Sequence, residues 1–79
     1  MNIETTERLT SKQVQAFLDQ LQIGESFEVT FLTNSGETRE YSGALIPTGS
    51  TQGESIAFNT SQFGIKRFNI NNVLSIGVI

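Results

Sequence analysis

Three glutamates, Glu28, Glu37 and Glu40, are the first residues in the chain whose spacing suggests chemistry. A pair of carboxylates can act as general acid and base or hold a divalent cation, provided that their separation is fixed and that one of them is withdrawn from water. If Leu32 pairs with Thr38 across a hairpin, Glu28 and Glu40 become diagonal neighbours on the solvent face of a sheet. Nothing desolvates them there, so the pattern favours a solvated face over a catalytic or metal site.

A second group of residues combines cations with aromatic rings. Arginine offers a planar fork to phosphate, and an aromatic face can stack a base, so one hypothesis is a small anion site. The other hypothesis assigns the rings to the core and the cations to an ordinary surface. The net charge of −3 favours the second, because three cations in such a chain produce only a weak positive field. The candidate ligand- or partner-binding residues are Arg39, Tyr41, Phe63, Lys66 and Arg67.

Two residue types with strong chemistry, cysteine and histidine, are absent from the chain. Their absence removes thiolate metal sites, disulfides and the side chain best suited to proton transfer near neutral pH. Serines such as Ser50, Ser55 and Ser61 therefore have no histidine to activate them. The stretch TGSTQGE, residues 48–54, lacks the lysine and the following helix of a phosphate-binding loop. We expect a non-enzymatic protein with no catalytic residues, no metal and no cofactor.

The length of 79 residues predicts a single small domain, in which folding buries only about 60% of the surface of the unfolded chain. We divide the chain into a flexible N-terminus, residues 1–9, and one domain, residues 10–79. Five basic residues stand against eight acidic ones, without the basic stripe of most nucleic-acid binders. The start of the chain does not resemble a signal peptide, and no apolar run approaches the ~20 residues of a membrane span. We expect a cytoplasmic protein that makes no membrane contact.

A helix is predicted over residues 10–22. Thr10 can cap its start and Gln13 completes a capping box, while Leu9 can pack against Val14 as a hydrophobic staple. The apolar residues that follow have the spacing of one helix face, and they are Val14, Phe17, Leu18 and Leu21.

From Glu25 the period of the apolar residues changes to two, which predicts strands. Pairing Leu32 with Thr38 places Tyr41 opposite Val29 and Arg39 beside Phe31. Gly43 interrupts the second strand and indicates a bulge or sharp bend, and Pro47 ends that strand. The remaining predicted segments are strands at 55–59 and 65–69, a turn at 60–64, one helical turn at 70–72, and a last strand with Leu74, Ile76 and Val78 on one face.

This order predicts a mainly β fold: a small five-stranded Src-homology-3-like barrel of Sm-like topology, preceded by one N-terminal α-helix. The stretch GETREYSGAL resembles a pattern in small tailed-phage proteins described as WYL-like or Src-homology-3-like barrels, matched here by Gly36, Arg39, Gly43 and Leu45. The closing segment is similar to that of the same proteins through Phe58, Gly64, Lys66, Phe68 and Val73. The resemblance covers roughly residues 10–78.

The resemblance implies a bacteriophage accessory protein acting in the host cytoplasm, with no assigned activity to transfer. Our first hypothesis is an interaction module that binds a protein partner, a host factor included, through the 39–41 region, the 48–54 loop and the 62–67 turn and strand. The alternative is a nucleotide or single-stranded nucleic-acid binding module of WYL-like or Sm-like type. The apolar C-terminal VLSIGVI either closes its own barrel or pairs with a second copy in a homo-oligomer.

Overall fold

The structure is a computed structural model, and it describes residues 2–4, 8–22, 24–46 and 51–79, without side chains at 2–4 and 51–52. Pro47 and residues 48–50 of the predicted loop lie outside this part of the chain. The elements in chain order are β1 (Asn2–Glu4), α1 (Ser11–Gln20), β2 (Phe27–Leu32), β3 (Thr38–Leu45), β4 (Thr51–Gln52), β5 (Ser55–Thr60), β6 (Gly64–Asn69) and β7 (Val73–Val78).

Helix α1 begins where the capping pattern predicts. The backbone N–H of Gln13 donates to Oγ1 of Thr10 at 3.1 Å, and the side chain of Gln13 accepts from the Thr10 N–H at 2.9 Å. The helix ends at Gln20, two residues earlier than predicted, because Leu21 is already extended. Its buried face consists of Val14, Phe17 and Leu18. No helix within the described ranges has the length and apolarity needed to cross a membrane.

The hairpin of β2 and β3 has the predicted register. Leu32 lies opposite Thr38, Val29 opposite Tyr41, and Phe31 opposite Arg39. The hairpin reverses at residues 33–36, where Gly36 adopts a φ of +87° that L-residues rarely reach. Because side chains alternate along a strand, this register places the apolar set of β2 inward.

The strands form one antiparallel sheet in the order β1, β7, β2, β3, β5, with β6 on the far side of β5 and β4 paired with β5 beyond the end of β3. The sheet is open, whereas the sequence analysis predicts a closed barrel. In the part of the chain that the structure describes, β1 pairs with the outer edge of β7 along Ser75–Gly77. That edge is therefore not available to β6, nor as a free edge for a second copy. Residues 1–9 are predicted to be flexible, and the pattern gives no sign of β1.

Strand β7 contains a register shift that the sequence analysis did not anticipate. Thr30 lies opposite Ser75, but Phe31 lies opposite Val73, so Leu74 is the extra residue of a bulge. The prediction that Leu74 shares the buried face with Ile76 is wrong, because the bulge exchanges the faces. Val73 is 0% exposed and Ile76 is 2% exposed, whereas Leu74 is half-buried.

Aromatic rings fill the space between the sheet and the helix. Phe27 contacts Phe17 of α1, with ring centroids 6.4 Å apart, and Phe58 on the opposite side at 5.6 Å. Phe68 packs edge-on against Phe58 at 5.5 Å. The molecule measures 29 × 24 × 24 Å, so the open sheet is not flat but wraps around this core.

Gly43 marks the point at which β3 changes partner. It lies opposite Phe27 of β2 and, at the same time, opposite Thr60 of β5. A Cβ atom at this position would clash with the backbone carbonyl oxygen of Asn59. The glycine is required by this close approach of two backbones, and no register shift accompanies it.

The predicted helical turn at 70–72 is a hydrogen-bonded turn, in which Asn72 donates to the carbonyl of Asn69 at 3.0 Å. The turn at 61–63 connects β5 to β6 as expected.

Candidate functional site

Three of the five candidate binding residues come together at one place on the surface. The ring of Phe63 meets the ring of Tyr41 edge-on at 5.6 Å, and Nζ of Lys66 lies 5.9 Å from the centroid of the Tyr41 ring. We call Tyr41, Phe63 and Lys66 the aromatic patch. Phe63 is 61% exposed, and its packing on Tyr41 makes it part of an apolar patch, not an isolated exposed side chain.

Tyr41 is the base of the aromatic patch. Its ring is half-buried and packs against Phe31 at 6.0 Å and Phe58 at 6.3 Å, so the core fixes its position. Lys66 reaches the ring because it lies opposite Phe58 in the β5–β6 pair and therefore shares its face of the sheet. The ammonium group attracts the negative face of the phenol ring.

Thr60 holds the turn that carries Phe63. Its hydroxyl donates to the carbonyl of Gly64 at 2.6 Å and accepts the N–H of Phe63 at 2.9 Å. Gly64 has a φ of +74°, which lets the chain reverse after three loop residues. The exposed ring is therefore presented by a turn closed through two side-chain hydrogen bonds.

The two arginines of the candidate set lie apart from the aromatic patch. The guanidinium of Arg39 pairs with Glu37 at 3.0 Å and donates to the carbonyl of Thr38. Arg67 occupies the opposite face of β6 from Lys66, as strand alternation requires, and donates to Oγ of Ser55 at 3.4 Å. The five predicted residues thus form no single anion site.

A cleft of about 190 Å³ adjoins the aromatic patch. We call it the acidic cleft, because the charged side chains in its lining are those of Glu28 and Glu40. Both are exposed and diagonal in the hairpin, as the register predicts. The sequence analysis placed them on a solvated face but did not connect them with Phe63, since the turn at 61–63 reaches them only through the fold. The remaining lining residues are Tyr41, Ser42, Ser61, Gln62 and Phe63.

One edge of β3 borders the acidic cleft without a partner strand. β3 pairs with β2 along its whole length up to Gly43, but with β5 only from Gly43 to Leu45. Within the described ranges, the edge of Thr38–Ser42 that faces away from β2 meets only the 61–63 turn, where Ser61 donates to the carbonyl of Ser42 at 2.9 Å.

A second cleft, of about 350 Å³, lies at the other end of the sheet and includes Arg67. Its polar lining contains Asn34, Asn69 and Asn72, and its apolar floor includes Phe31. In the described ranges there is no group of three carboxylates close enough together to hold a metal ion.

No family model matches the chain, and neither the curated proteins nor the solved structures contain a significant match to it. The similarity to tailed-phage proteins therefore rests on the residues of the two matched segments alone.

Proposed function

We propose that this chain is a non-enzymatic interaction module that binds a protein partner through the aromatic patch. The observation that carries the proposal is the exposed ring of Phe63, packed on Tyr41 and presented by a hydrogen-bonded turn. Aromatic residues dominate the energetics of protein interfaces, because they bury a large area at a low cost in conformational entropy. An exposed ring beside a cleft, next to a strand edge with no partner strand in the described ranges, offers such an interface an apolar anchor and backbone hydrogen-bonding groups.

We propose that the open sheet has a Src-homology-3-like strand order without closing into a barrel. The five longer strands neighbour each other in the order β7, β2, β3, β5, β6, and a short turn precedes the last strand. This order and turn support the proposal. A phage accessory role in the host cytoplasm is supported by the sequence resemblance alone.

The test is quantitative capture with matched variants. The full chain, Phe63→Ala and Ile79→Ala are immobilised and exposed to a lysate of phage-infected bacteria, and the bound proteins are quantified by mass spectrometry. Ile79 is the control, because it is 70% exposed, bonds through its backbone to Ser26, and belongs neither to the aromatic patch nor to the lining of the acidic cleft. We expect one specific protein to bind the full chain and Ile79→Ala, and to bind Phe63→Ala at least about tenfold less.

Equal recovery of the same proteins by the full chain and Phe63→Ala would contradict the proposal, as would the absence of any specific protein at low salt. Circular dichroism melting of each variant shows that a loss of binding does not come from unfolding. The mostly exposed position of the Phe63 side chain predicts little effect of its truncation on the melting temperature.

A second candidate function, nucleotide binding, is supported by the cleft around Arg67. Its volume of about 350 Å³ falls in the range of roughly 300–1,000 Å³ typical of small-molecule sites. Arg67 offers a guanidinium fork for phosphate, and the asparagines offer donors and acceptors for a base or ribose.

A thermal-shift panel of nucleotides tests this second function. A nucleotide at a hundredfold excess over its Kd should raise Tm by about 10–20 °C, and Arg67→Gln should abolish the rise while Arg39→Gln preserves it. Unchanged Tm with every nucleotide would remove this candidate.

A further inference from the structure

We propose that the acidic cleft and the unpaired edge of β3 together bind an extended segment of the partner, with a lysine or arginine side chain facing Glu28 and Glu40. This inference rests on the proposed function and specifies the chemistry of the protein partner. The bound segment would contact the backbone of β3, the carboxylates of the acidic cleft and the apolar surface of the aromatic patch.

The backbone of β3 offers hydrogen bonds to an added strand. The N–H of Thr33 donates to the carbonyl of Glu37 at 2.8 Å, which fixes the alternation of bonded and non-bonded pairs along the hairpin. In this alternation the N–H and C=O of Glu40 point away from β2. The carbonyl of Ser42 points the same way, as its bond from Ser61 confirms. Because the Ser42 carbonyl already accepts from Ser61, a strand laid along this edge would pair with the outward-pointing backbone groups of Thr38 and Glu40.

The charge of the acidic cleft selects the side chains of that strand. Within the described ranges the only ion pair joins Glu37 and Arg39, so Glu28 and Glu40 have no cationic partner there. The carboxylate of Glu40 accepts one long hydrogen bond, from Oγ1 of Thr30 at 3.4 Å. A basic side chain of the partner would supply the missing counter-charge, and the net charge of −3 favours the approach of a cationic segment.

Alternation along the added strand divides its side chains between two surfaces. Glu40 and Tyr41 are neighbours in β3 and lie on its opposite faces, so alternate residues of the added strand lie on the Glu40 side and on the Tyr41 side. The segment should therefore alternate basic and apolar residues. The volume of about 190 Å³ is below the roughly 300–1,000 Å³ of small-molecule sites, so a single side chain fits the acidic cleft better than a nucleotide.

The effect of replacing Lys66 on affinity distinguishes a basic ligand from an anionic one. Its ammonium group lies 5.9 Å from the Tyr41 centroid, so it repels a basic ligand at the same surface. Lys66→Gln should strengthen the binding of a basic segment. An anionic ligand at the aromatic patch would respond in the opposite direction.

The experiment uses the ¹⁵N-labelled full chain and a pair of blocked five-residue peptides at low salt. One peptide has arginine at its centre between two valines, and the other has uncharged citrulline in that place. We expect the arginine peptide to shift the amides of 38–42 and 61–63, with a Kd about fivefold lower than that of the citrulline peptide. The double variant Glu28→Gln/Glu40→Gln should remove this difference, whereas Glu54→Gln, an exposed glutamate outside the acidic cleft, should preserve it.

The inference is overturned by equal affinity for the two peptides, by shifts at other surfaces, by the absence of binding, or by weaker binding of the arginine peptide to Lys66→Gln. Equal affinity together with lost partner capture by Phe63→Ala leaves the proposed function intact and removes this inference alone. Unchanged capture by Phe63→Ala removes the proposed function, whatever the peptides do.

Discussion

Thr60 is the residue on which the presentation of the aromatic patch depends most. It is the buried polar side chain of the described ranges, and its hydroxyl serves both the N–H of Phe63 and the carbonyl of Gly64. A hydroxyl that satisfies two backbone groups at once cannot be replaced by an apolar group of the same shape without leaving those groups unpaired. The position of Phe63 is therefore set by a neighbouring side chain that is itself buried.

Thr60→Val should lower the free energy of unfolding by about 1–3 kcal/mol, since it removes both hydrogen bonds from a mostly buried position. Thr60→Ser keeps the hydroxyl and should lose less than about half as much. Urea denaturation of the three chains measures the difference. Equal loss in both variants would show that the methyl group, and not the hydroxyl, stabilises the turn.

Gly43→Ala should be more destabilising than a glycine substitution in open space. The added Cβ would meet the backbone carbonyl of Asn59, which cannot move without separating β3 from β5, so we expect a loss of about 3 kcal/mol. Gly36→Ala is the control, because its Cβ meets nothing within 4 Å and the cost is the left-handed φ alone, about 1 kcal/mol. The denaturant midpoints of the two variants measure these losses. Equal midpoints would show that the backbones of β3 and β5 are not as close at Gly43 as the structure places them.

At the scale of elements, the parts of the fold that follow from local patterns could be read from the sequence. The capping residues Thr10 and Gln13 fixed the start of α1, and the period of two in β2 fixed the register with β3. Strand β1 left no such sign, because its three residues pair through the backbone and show no side-chain pattern. The bulge at Leu74 was hidden because apolar residues occur on both faces of VLSIGV.

The candidate surface followed from the sequence only in part. Tyr41, Phe63 and Lys66 were named by residue type, and the structure brings them together. The acidic cleft was missed because its two sides are separated in sequence and meet only when β3 passes from β2 to β5. Contacts of this kind depend on the path of the whole chain, which local periodicity does not encode.

Thr10→Ala should destabilise the protein through α1. The substitution removes the side-chain acceptor for the Gln13 N–H, at a cost of about 1 kcal/mol, and the helix covers the end of the core at Phe27. Thr10→Ser retains the acceptor and should restore most of the stability. Thermal unfolding followed by circular dichroism checks both variants, and an unchanged Tm in Thr10→Ala would show that the capping box adds nothing.

For the whole molecule, the path of β3 from β2 to β5 leaves one strand edge uncovered in the described ranges, and the proposed binding of an extended segment follows from that edge. β1 covers the outer edge of β7, whereas the edge of β3 at Thr38–Ser42 has no strand beside it in the described ranges. An uncovered strand edge is a place where another chain can pair, and charged residues beside it limit indiscriminate pairing. Glu40 stands on that edge, so charge and geometry together restrict which segments can bind.

Removal of residues 1–4 should expose the outer edge of β7 and promote self-association. We expect the truncated chain to form dimers or larger species at concentrations where the full chain has a lower mass. Light scattering over a dilution series measures both chains. The same mass for both at every concentration would show that β1 does not protect this edge.

Amide hydrogen exchange along β3 tests whether the edge of Thr38–Ser42 is free to pair with another chain. The alternation of the hairpin directs the N–H groups of Arg39 and Tyr41 toward β2 and that of Glu40 toward the uncovered edge. We expect the Glu40 amide to exchange at least about a hundredfold faster than the amides of Arg39 and Tyr41. Equal protection of all three amides would mean that another strand already occupies the edge, and it would contradict the account.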